Sequence, residues 1–329
     1  MPKFEKEGNA YFFKKVIKRT LLIFAIGLFL NWSPFVMYQN GSLVAKNWTW
    51  INNNNGTSGI RIMGVLQRIA LCYFFAAFII YFLKTKGAYV MAAFLLLFYW
   101  LLCFLLGNPA DPYSLSGYFG TAVDINLLGT AHVYKGEGVP FDPEGLASTF
   151  AAIVQVVIGF FVGQYVQQKG KSYEMLSNLF IAGTLLVLAG FWWDMVFPVN
   201  KKIWTSSYTL YTSGLATITL GILIFFIEFK QATGMWSRFF DGFGKNPLFI
   251  FVLSGFLPRV LGLIRWVDSI KADGTKVYTT PFAWFYNHIC KNIVSSDLRY
   301  GSLFYALLMI AFYWGIVFML DKRKIYIKV

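Results

Sequence analysis

An all-helical protein that crosses a membrane several times is the fold class this sequence predicts, and three observations predict it. Hydrophobic residues make up 57% of the 329, only 13% are charged, and mean hydropathy is +0.56, whereas about a quarter of a soluble domain is charged. Apolar runs recur at close to the roughly 20 residues that a helix needs to span a hydrocarbon core. Lysine and arginine are spread between those runs. The runs are continuous rather than alternating, which argues against a membrane barrel.

Length and flanking charge place eight helices, at about 20–38, 64–83, 88–107, 147–166, 176–196, 208–228, 246–264 and 301–320. The first follows a basic and aromatic start, MPKFEKEGNAYFFKKVIKR, and has no small-residue cleavage site, so it reads as a retained span. Apart from the polar patch Asn52 to Asn55, no low-complexity linker divides the chain, and no regular repeat is visible. Residues 1–329 therefore read as one transmembrane domain.

Basic residues set orientation. Lys3, Lys6, Lys14, Lys15, Lys18 and Arg19 precede the first span, and Lys322, Arg323, Lys324 and Lys328 follow the last, which puts both termini in the cytoplasm. An even number of spans agrees, and the connections bearing Lys84 and Lys86, Lys169 and Lys171, and Lys230, Arg238 and Lys245 fall on the same side. The long loops at about 39–63, 108–146 and 265–300 then face outward, and the middle one is net acidic.

The formal charge of +14 comes from 29 Lys and Arg against 15 Asp and Glu. Because these residues are scattered between apolar runs and not massed on one polar face, they read as topology signals, and no nucleic-acid partner is expected. Cys72, Cys103 and Cys290 form no CxxC pair, and two of them sit in apolar runs, so neither a disulfide framework nor a metal site is indicated.

The titratable groups concentrate before the fourth span, in AVDINLLGTAHVYKGEGVPFDPEGLASTF, with Asp124, His132, Asp142 and Glu144. Asp142 ahead of Pro143 fits a helix cap, with Glu144 complementing the helix dipole. Two carboxylates at one mouth can equally bind a cationic amine or orient a histidine. A loop histidine bonded to backbone is the first reading of His132, and beside Asp124 or Glu144 it would suit a general base. His288, in FYNHICKN, is the weaker of the two histidines. In GIRIMGVLQRIALCYFF, Arg68 lies four residues into an apolar run, beside Gln67. An ionisable group there marks a functional site unless it snorkels to the interface. NKKIWTSSYTLYTSG brings Lys201, Lys202, Trp204, Ser206 and Ser207 to an outer interface, where basic and aromatic anchors are common. In GFGKNPLFIF, Lys245 precedes an Asn246–Pro247 helix start that can act as a cap or as a phosphate site.

Five strings then occur in order: RIMGVLQRIALCY, VDINLLGTAHVY, DPEGLASTFAAIVQVVIGFFVGQ, NKKIWTSSYTLYTSG and GKNPLFIF. In these the chain resembles the heparan-alpha-glucosaminide N-acetyltransferase family and its bacterial relatives, over roughly residues 15–329. The resemblance implies a polytopic enzyme that moves an acetyl group from cytoplasmic acetyl-CoA to the amine of a terminal glucosamine across the membrane. In a bacterium the membrane would be the inner one and the acceptor a cell-wall or scavenged glycan sugar. Family members begin with further spans that carry an H-x-x-W-x-G-like segment and its catalytic histidine. No such segment occurs here, so either the start is short relative to a complete protein or this member lacks that chemistry. The resemblance gives His132 a binding or supporting role, and only if the chain is complete does His132 become the best remaining base.

The resulting assignment has His132, Asp124 and Glu144 as catalytic groups, and Asp142, Arg68, Gln67, Trp204 and Ser206 as substrate-binding groups. Lys245 and Asn246 are expected at the acetyl-CoA phosphates, with no metal. The lipid bilayer and an amino sugar are the expected partners, and a homodimer is compatible with the pattern. A solute permease is the competing reading, since polar groups on glycine-bearing helices also suit alternating access. A catalytically silent relative that only binds ligand is the third.

Overall fold

A computed structural model describes residues 8–39, 41–52, 56–293 and 297–327. Residues 53–55 of the polar patch, Lys3, Lys6 and Lys328 lie outside them. The described chain is mainly helical. Helix α1 covers Asn9–Trp32, α2 Val65–Leu106, α3 Phe119–Leu128, α4 Thr149–Lys169, α5 Tyr173–Asp194 and α6 Ser206–Ile224, which continues into a π turn at Phe225–Phe229. Then come α7 Met235–Lys245, α8 Pro247–Leu261, α9 Pro281–Phe285 and α10 Leu298–Lys322.

Five of these segments are long and apolar enough to cross a membrane: α2, α4, α5, α6 with its π turn, and α10. The protein is thus an integral membrane protein of all-α class. Helix α2 is 42 residues long, about twice a bilayer crossing. Lys84, at φ 57° and ψ −170°, interrupts it, so 65–83 and 85–106 match the second and third expected spans. The first and seventh expected spans are helices too, but they fall short. Helix α1 begins earlier than expected, with Lys14, Lys15, Lys18 and Arg19 along its first half, and α8 has only 15 residues.

Three two-stranded hairpins interrupt the loops: β1 (Val36–Gln39) with β2 (Ser42–Ala45), β3 (Thr49–Asn52) with β4 (Gly56–Gly59), and β5 (Trp266–Ile270) with β6 (Lys276–Thr279). The sequence analysis assigned none of them.

The chain clusters into two compact units, Met1–Asn31 with Asn47–Ala232, and Trp32–Lys46 with Thr233–Val329. The core of the first unit joins both halves of α2 to α4, through Ala76, Ile80, Ala88, Tyr99, Ala151 and Val154. Alanines at these crossings let backbones approach, as bundles in lipid require. Helices α5 and α6 approach more closely still. A Cβ on Gly214 would lie 2.5 Å from the Gly183 carbonyl oxygen. Helix α1 adds a separate aromatic contact, with Phe12 stacked on Tyr81 at 3.9 Å between ring centroids. Cys72, Cys103 and Cys290 are buried free thiols. In the second unit, α7, α8 and α10 surround an apolar cavity of about 510 Å³ lined by Phe243, Pro247, Ile250, Phe251 and Tyr313 among others.

Candidate functional site

The acidic stretch folds as a short helix, α3, a 3₁₀ turn at Thr130–His132, and a tight turn at 142–148 that leads into α4. Within the turn, Gly145 N–H donates to the Asp142 carbonyl at 3.0 Å, and Glu144 N–H donates to Asp142 Oδ1 at 3.0 Å. Asp142 therefore caps this turn and not α4. Helix α4 begins at Thr149, after Ser148.

The partner of Asp142 is Arg61, three residues ahead of Gly64, which opens α2. Arg61 Nε donates to Oδ2 at 2.9 Å and Nη2 to Oδ1 at 2.5 Å, and Nη2 also reaches Glu144 Oε2. The Asp142 carboxylate is fully buried, while Arg61 and Glu144 keep 24% and 19% of their side-chain surface exposed. Tyr134 lies under the guanidinium at 4.7 Å from its ring centroid. Burial pulls the Arg61 pKa down, but its bonds to Asp142 and the charge of both acids outweigh that and raise it above the ordinary value. The site so formed is a planar cation gripped by two carboxylates, with the Glu144 edge open to solvent.

Asp124, on α3, is 1% exposed and accepts a 2.9 Å bond from Leu146 N–H in the same turn. Gly145 makes room for it, since a Cβ at that position would stand 1.9 Å from Asp124 Oδ2. Burial raises the Asp124 pKa to about 6, with a further push from Asp142 and an opposing pull from the Leu146 amide and Arg68. A carboxylate of that basicity is ionised at neutral pH and still takes a proton readily.

The other wall is built on α2 and α6. Arg68 is 5% exposed and does not snorkel. Its Nη2 donates to the Gly145 carbonyl at 3.1 Å and to Ser148 Oγ, and its guanidinium lies 5.0 Å from the Trp204 ring centroid. Ser206 is fully buried and donates to the Leu96 carbonyl at 2.8 Å, which serves helix packing. Gln67 is 1% exposed, and its Oε1 would lie 2.5 Å from a Cβ on Gly27. It therefore packs toward α1, whereas Arg68 packs toward the 142–148 turn.

His132 lies against Trp48, 4.7 Å between ring centroids. Its Nδ1 is 2.7 Å from the Ile60 carbonyl, and because a carbonyl only accepts, Nδ1 carries the proton. Its own carbonyl accepts from Ile62 N–H at 3.2 Å. His132 thus clamps the residues on either side of Arg61. It forms no ion pair with Asp124 or Glu144 among the described residues. Of the three expected catalytic groups, the structure brings Asp124 and Glu144 to one turn and gives His132 to the segment that carries Arg61.

Lys245 and Asn246 lie in the second unit. Lys245 Nζ is 2.6 Å from Asp241 and 3.0 Å from Asp321, so its charge is already taken. Asn246 makes no cap for α8. It donates to the Ile325 carbonyl at 3.1 Å and accepts from Ile327 N–H at 2.8 Å, which pins the tail. His288 faces Asp268 at 3.6 Å on an exposed π turn of the same unit.

Sequence reasoning did not assign Arg61, Ser148 or Tyr134 to the site. The signal for Arg61 was a second arginine just before the apolar run, but no spacing rule ties it to acids 81 and 83 residues away.

No protein-family model matches the chain. The mouse heparan-alpha-glucosaminide N-acetyltransferase is 24% identical over 294 residues, covering 72% of this chain and 42% of its own length. The human protein of the same name is 25% identical over 294 residues, covering 72% and 41%. The chain thus spans about two fifths of the length of the curated relatives it matches. Joined to the membrane helices and the order of the polar motifs, these two matches make the chain a distant relative of the heparan-alpha-glucosaminide N-acetyltransferases.

Proposed function

We propose that this protein is a membrane-bound acyltransferase that moves an acetyl group from acetyl-CoA to the amine of an amino sugar. The observation that carries the reading is Asp124, a buried carboxylate raised to about 6, hydrogen-bonded to the same turn that holds Asp142 and Glu144. A protonated amine is not a nucleophile, so the chemistry needs an anion to receive the ammonium and a base to take its proton. Glu144, the more exposed of the two acids on Arg61, receives the ammonium, and Arg61 holds Glu144 and Asp142 in place. Asp124 takes the proton. The freed nitrogen attacks the thioester carbon, the C–N bond forms, the C–S bond breaks, and Asp124 returns its proton to the leaving thiolate. The ionised Asp124 then takes the second nitrogen proton and releases it to water, leaving the neutral amide. His132 positions the segment of Arg61. We assign the donor phosphates no residue at Lys245, where two carboxylates would oppose them.

The lysine distribution supports a cytoplasmic donor, an acceptor on the other face of a bacterial inner membrane, and both termini in the cytoplasm. Thiol labelling of a cysteine placed in the 108–146 loop from outside intact cells tests that sidedness. The activity is tested with purified protein, radiolabelled acetyl-CoA and glucosamine. The reading expects labelled N-acetylglucosamine, lost in Asp124→Asn. Absence of transfer, together with no effect of CoA on thermal stability, sinks it.

A further inference from the structure

The Arg68 guanidinium is a buried charge with no carboxylate in contact among the described residues, and Asp124 and Glu144 act on it only through space. Arg68 forms no ion pair with any carboxylate among the described residues, and its two acceptors, the Gly145 carbonyl and Ser148 Oγ, are uncharged. Its Nε and Nη1 are buried without an acceptor. Removing a guanidinium from water is costly unless an anion compensates, and within a membrane helix the cost is greater still. A neutral amide could serve Gly145 and Ser148, so those two bonds do not explain an arginine.

Trp204 supplies the second observation. Its ring faces the guanidinium, and its Nε1 is likewise buried and without an acceptor. Its backbone sits at φ 53°, a region that a bulky side chain adopts only when its surroundings force it. The forcing groups are visible. Thr205 N–H donates to the Asn200 carbonyl at 3.2 Å, Asn200 N–H donates to Thr205 Oγ1 at 3.0 Å, and the Ile203 carbonyl accepts from Tyr99 at 2.5 Å. Two separate elements therefore present donors with no acceptor, and one of the two is held in a strained conformation.

We propose that Arg68 and Trp204 form a binding point for a small anionic oxygen group carried by a substrate. The chemistry is that of a carboxylate or of the oxyanion that develops on a thioester carbonyl, both of which take N–H donors from a planar cation. The site complements its neighbour. Arg68 bonds to the carbonyl of Gly145, next to Glu144, so one turn has a carboxylate for a cation on one side and unfilled donors for an anion on the other. Anion binding does not depend on the transfer reading. Its assignment to the acyl oxygen does.

Thermal unfolding of the purified protein in detergent, titrated with sodium acetate against sodium chloride at fixed ionic strength, tests the proposal. Acetate raises the melting temperature of the wild type saturably beyond chloride. The effect is lost in Arg68→Gln, and its apparent affinity falls about tenfold in Trp204→Phe, which keeps an aromatic ring there and deletes one donor. In chloride alone, Arg68→Met unfolds at or above the wild-type temperature, because a buried charge with no anion in contact has gone. A merely structural arginine gives the opposite order. Should Arg68→Gln fail to fold, Arg68→Lys and Trp204→Phe carry the comparison. An equal acetate response in wild type and variants, or none in the wild type, overturns the proposal even if acetyl transfer is observed. An Arg68-dependent response without any transfer upholds it and removes the transfer reading instead. Where transfer is seen, a fall in kcat at constant KM in Arg68→Lys assigns the oxygen to the acyl group, and a rise in KM for an acidic acceptor assigns it to the sugar.

Discussion

Arg61 and Asp142, 81 residues apart, meet through two parallel hydrogen bonds, Nε to Oδ2 at 2.9 Å and Nη2 to Oδ1 at 2.5 Å. The pair ties the segment before α2 to the turn before α4. Since the Asp142 carboxylate is fully buried, removing its charge leaves the arginine facing a poor partner. Asp142→Asn is expected to cost about 3 kcal/mol, the scale for breaking a buried pair. A mere turn cap costs about 1 kcal/mol. Chemical unfolding of Asp142→Asn, Arg61→Gln and the double variant measures it, and the double variant is expected to be less destabilised than the sum of the singles.

Asp124 makes stability depend on pH. Its folded pKa of about 6 exceeds the ordinary 3.8, so the folded state binds the proton more tightly. The associated stability is fully present below about pH 4 and is lost as pH rises through about 6, amounting to about 3 kcal/mol across that window. Asp124→Asn keeps an acceptor for Leu146 N–H and abolishes the slope. Turnover runs the other way, rising with pH through about 6 as the base ionises, and falling about 10²-fold or more in Asp124→Asn. Unfolding and rate profiles between pH 4 and 8 check both signs.

Gly145 is there because Asp124 is there. A methyl at Gly145 would stand 1.9 Å from Asp124 Oδ2, so Gly145→Ala must move either the turn or the carboxylate. The expected cost is about 1–3 kcal/mol. A displaced Asp124 regains water, so its pKa falls toward 3.8 and the pH-dependent window narrows. A variant with unchanged stability and an unchanged window contradicts this packing.

The α5–α6 contact is set by small residues. A Cβ on Gly214 would meet the Gly183 carbonyl oxygen at 2.5 Å and Val187 N at 2.7 Å. Gly214→Val therefore forces the helices apart, with an expected loss of about 1–3 kcal/mol. A crosslinking yield between cysteines placed on facing turns of α5 and α6, reduced in the variant, reports the separation.

The helices were readable because apolar runs of bilayer length announce themselves one at a time. Even the break in α2 was marked by Lys84 and Lys86 between two apolar runs. Arg68 stood out as a charge inside such a run, with snorkelling as its ordinary alternative, and burial to 5% exposure removes that alternative. The Arg61–Asp142 pair was not, because it joins residues that only the tertiary fold brings together. Asp142 looked like the cap of α4 since its neighbours fit one, and the competing partner lay far away in the chain. The hairpins carried a signal that a search for helices passes over. The sequence has Asn–Gly at 40–41 and 55–56 and Asp–Gly at 273–274, dipeptides that favour positive φ, and Gly41, Gly274 and Gly56, the first residue of β4, adopt it. The strands are only four or five residues long, too short for a period of two to stand out.

His132 separates positioning from catalysis through the atom it uses. Nδ1–H donates to the Ile60 carbonyl at 2.7 Å, and the His132 carbonyl accepts from Ile62 N–H at 3.2 Å, so the ring and backbone brace Arg61 from both sides. An asparagine amide can place a donor near the Nδ1 position but cannot act as a base near neutral pH. His132→Asn is therefore expected to keep most of the fold stability and a larger share of turnover than His132→Ala, which loses about 1–3 kcal/mol by leaving the Ile60 carbonyl without its donor. If His132→Asn is as stable as the wild type yet as inactive as His132→Ala, the histidine takes the proton itself and Asp124 is not the base. The pH profile of the residual activity distinguishes the two, since only a protein that still relies on Asp124 keeps a rise near pH 6.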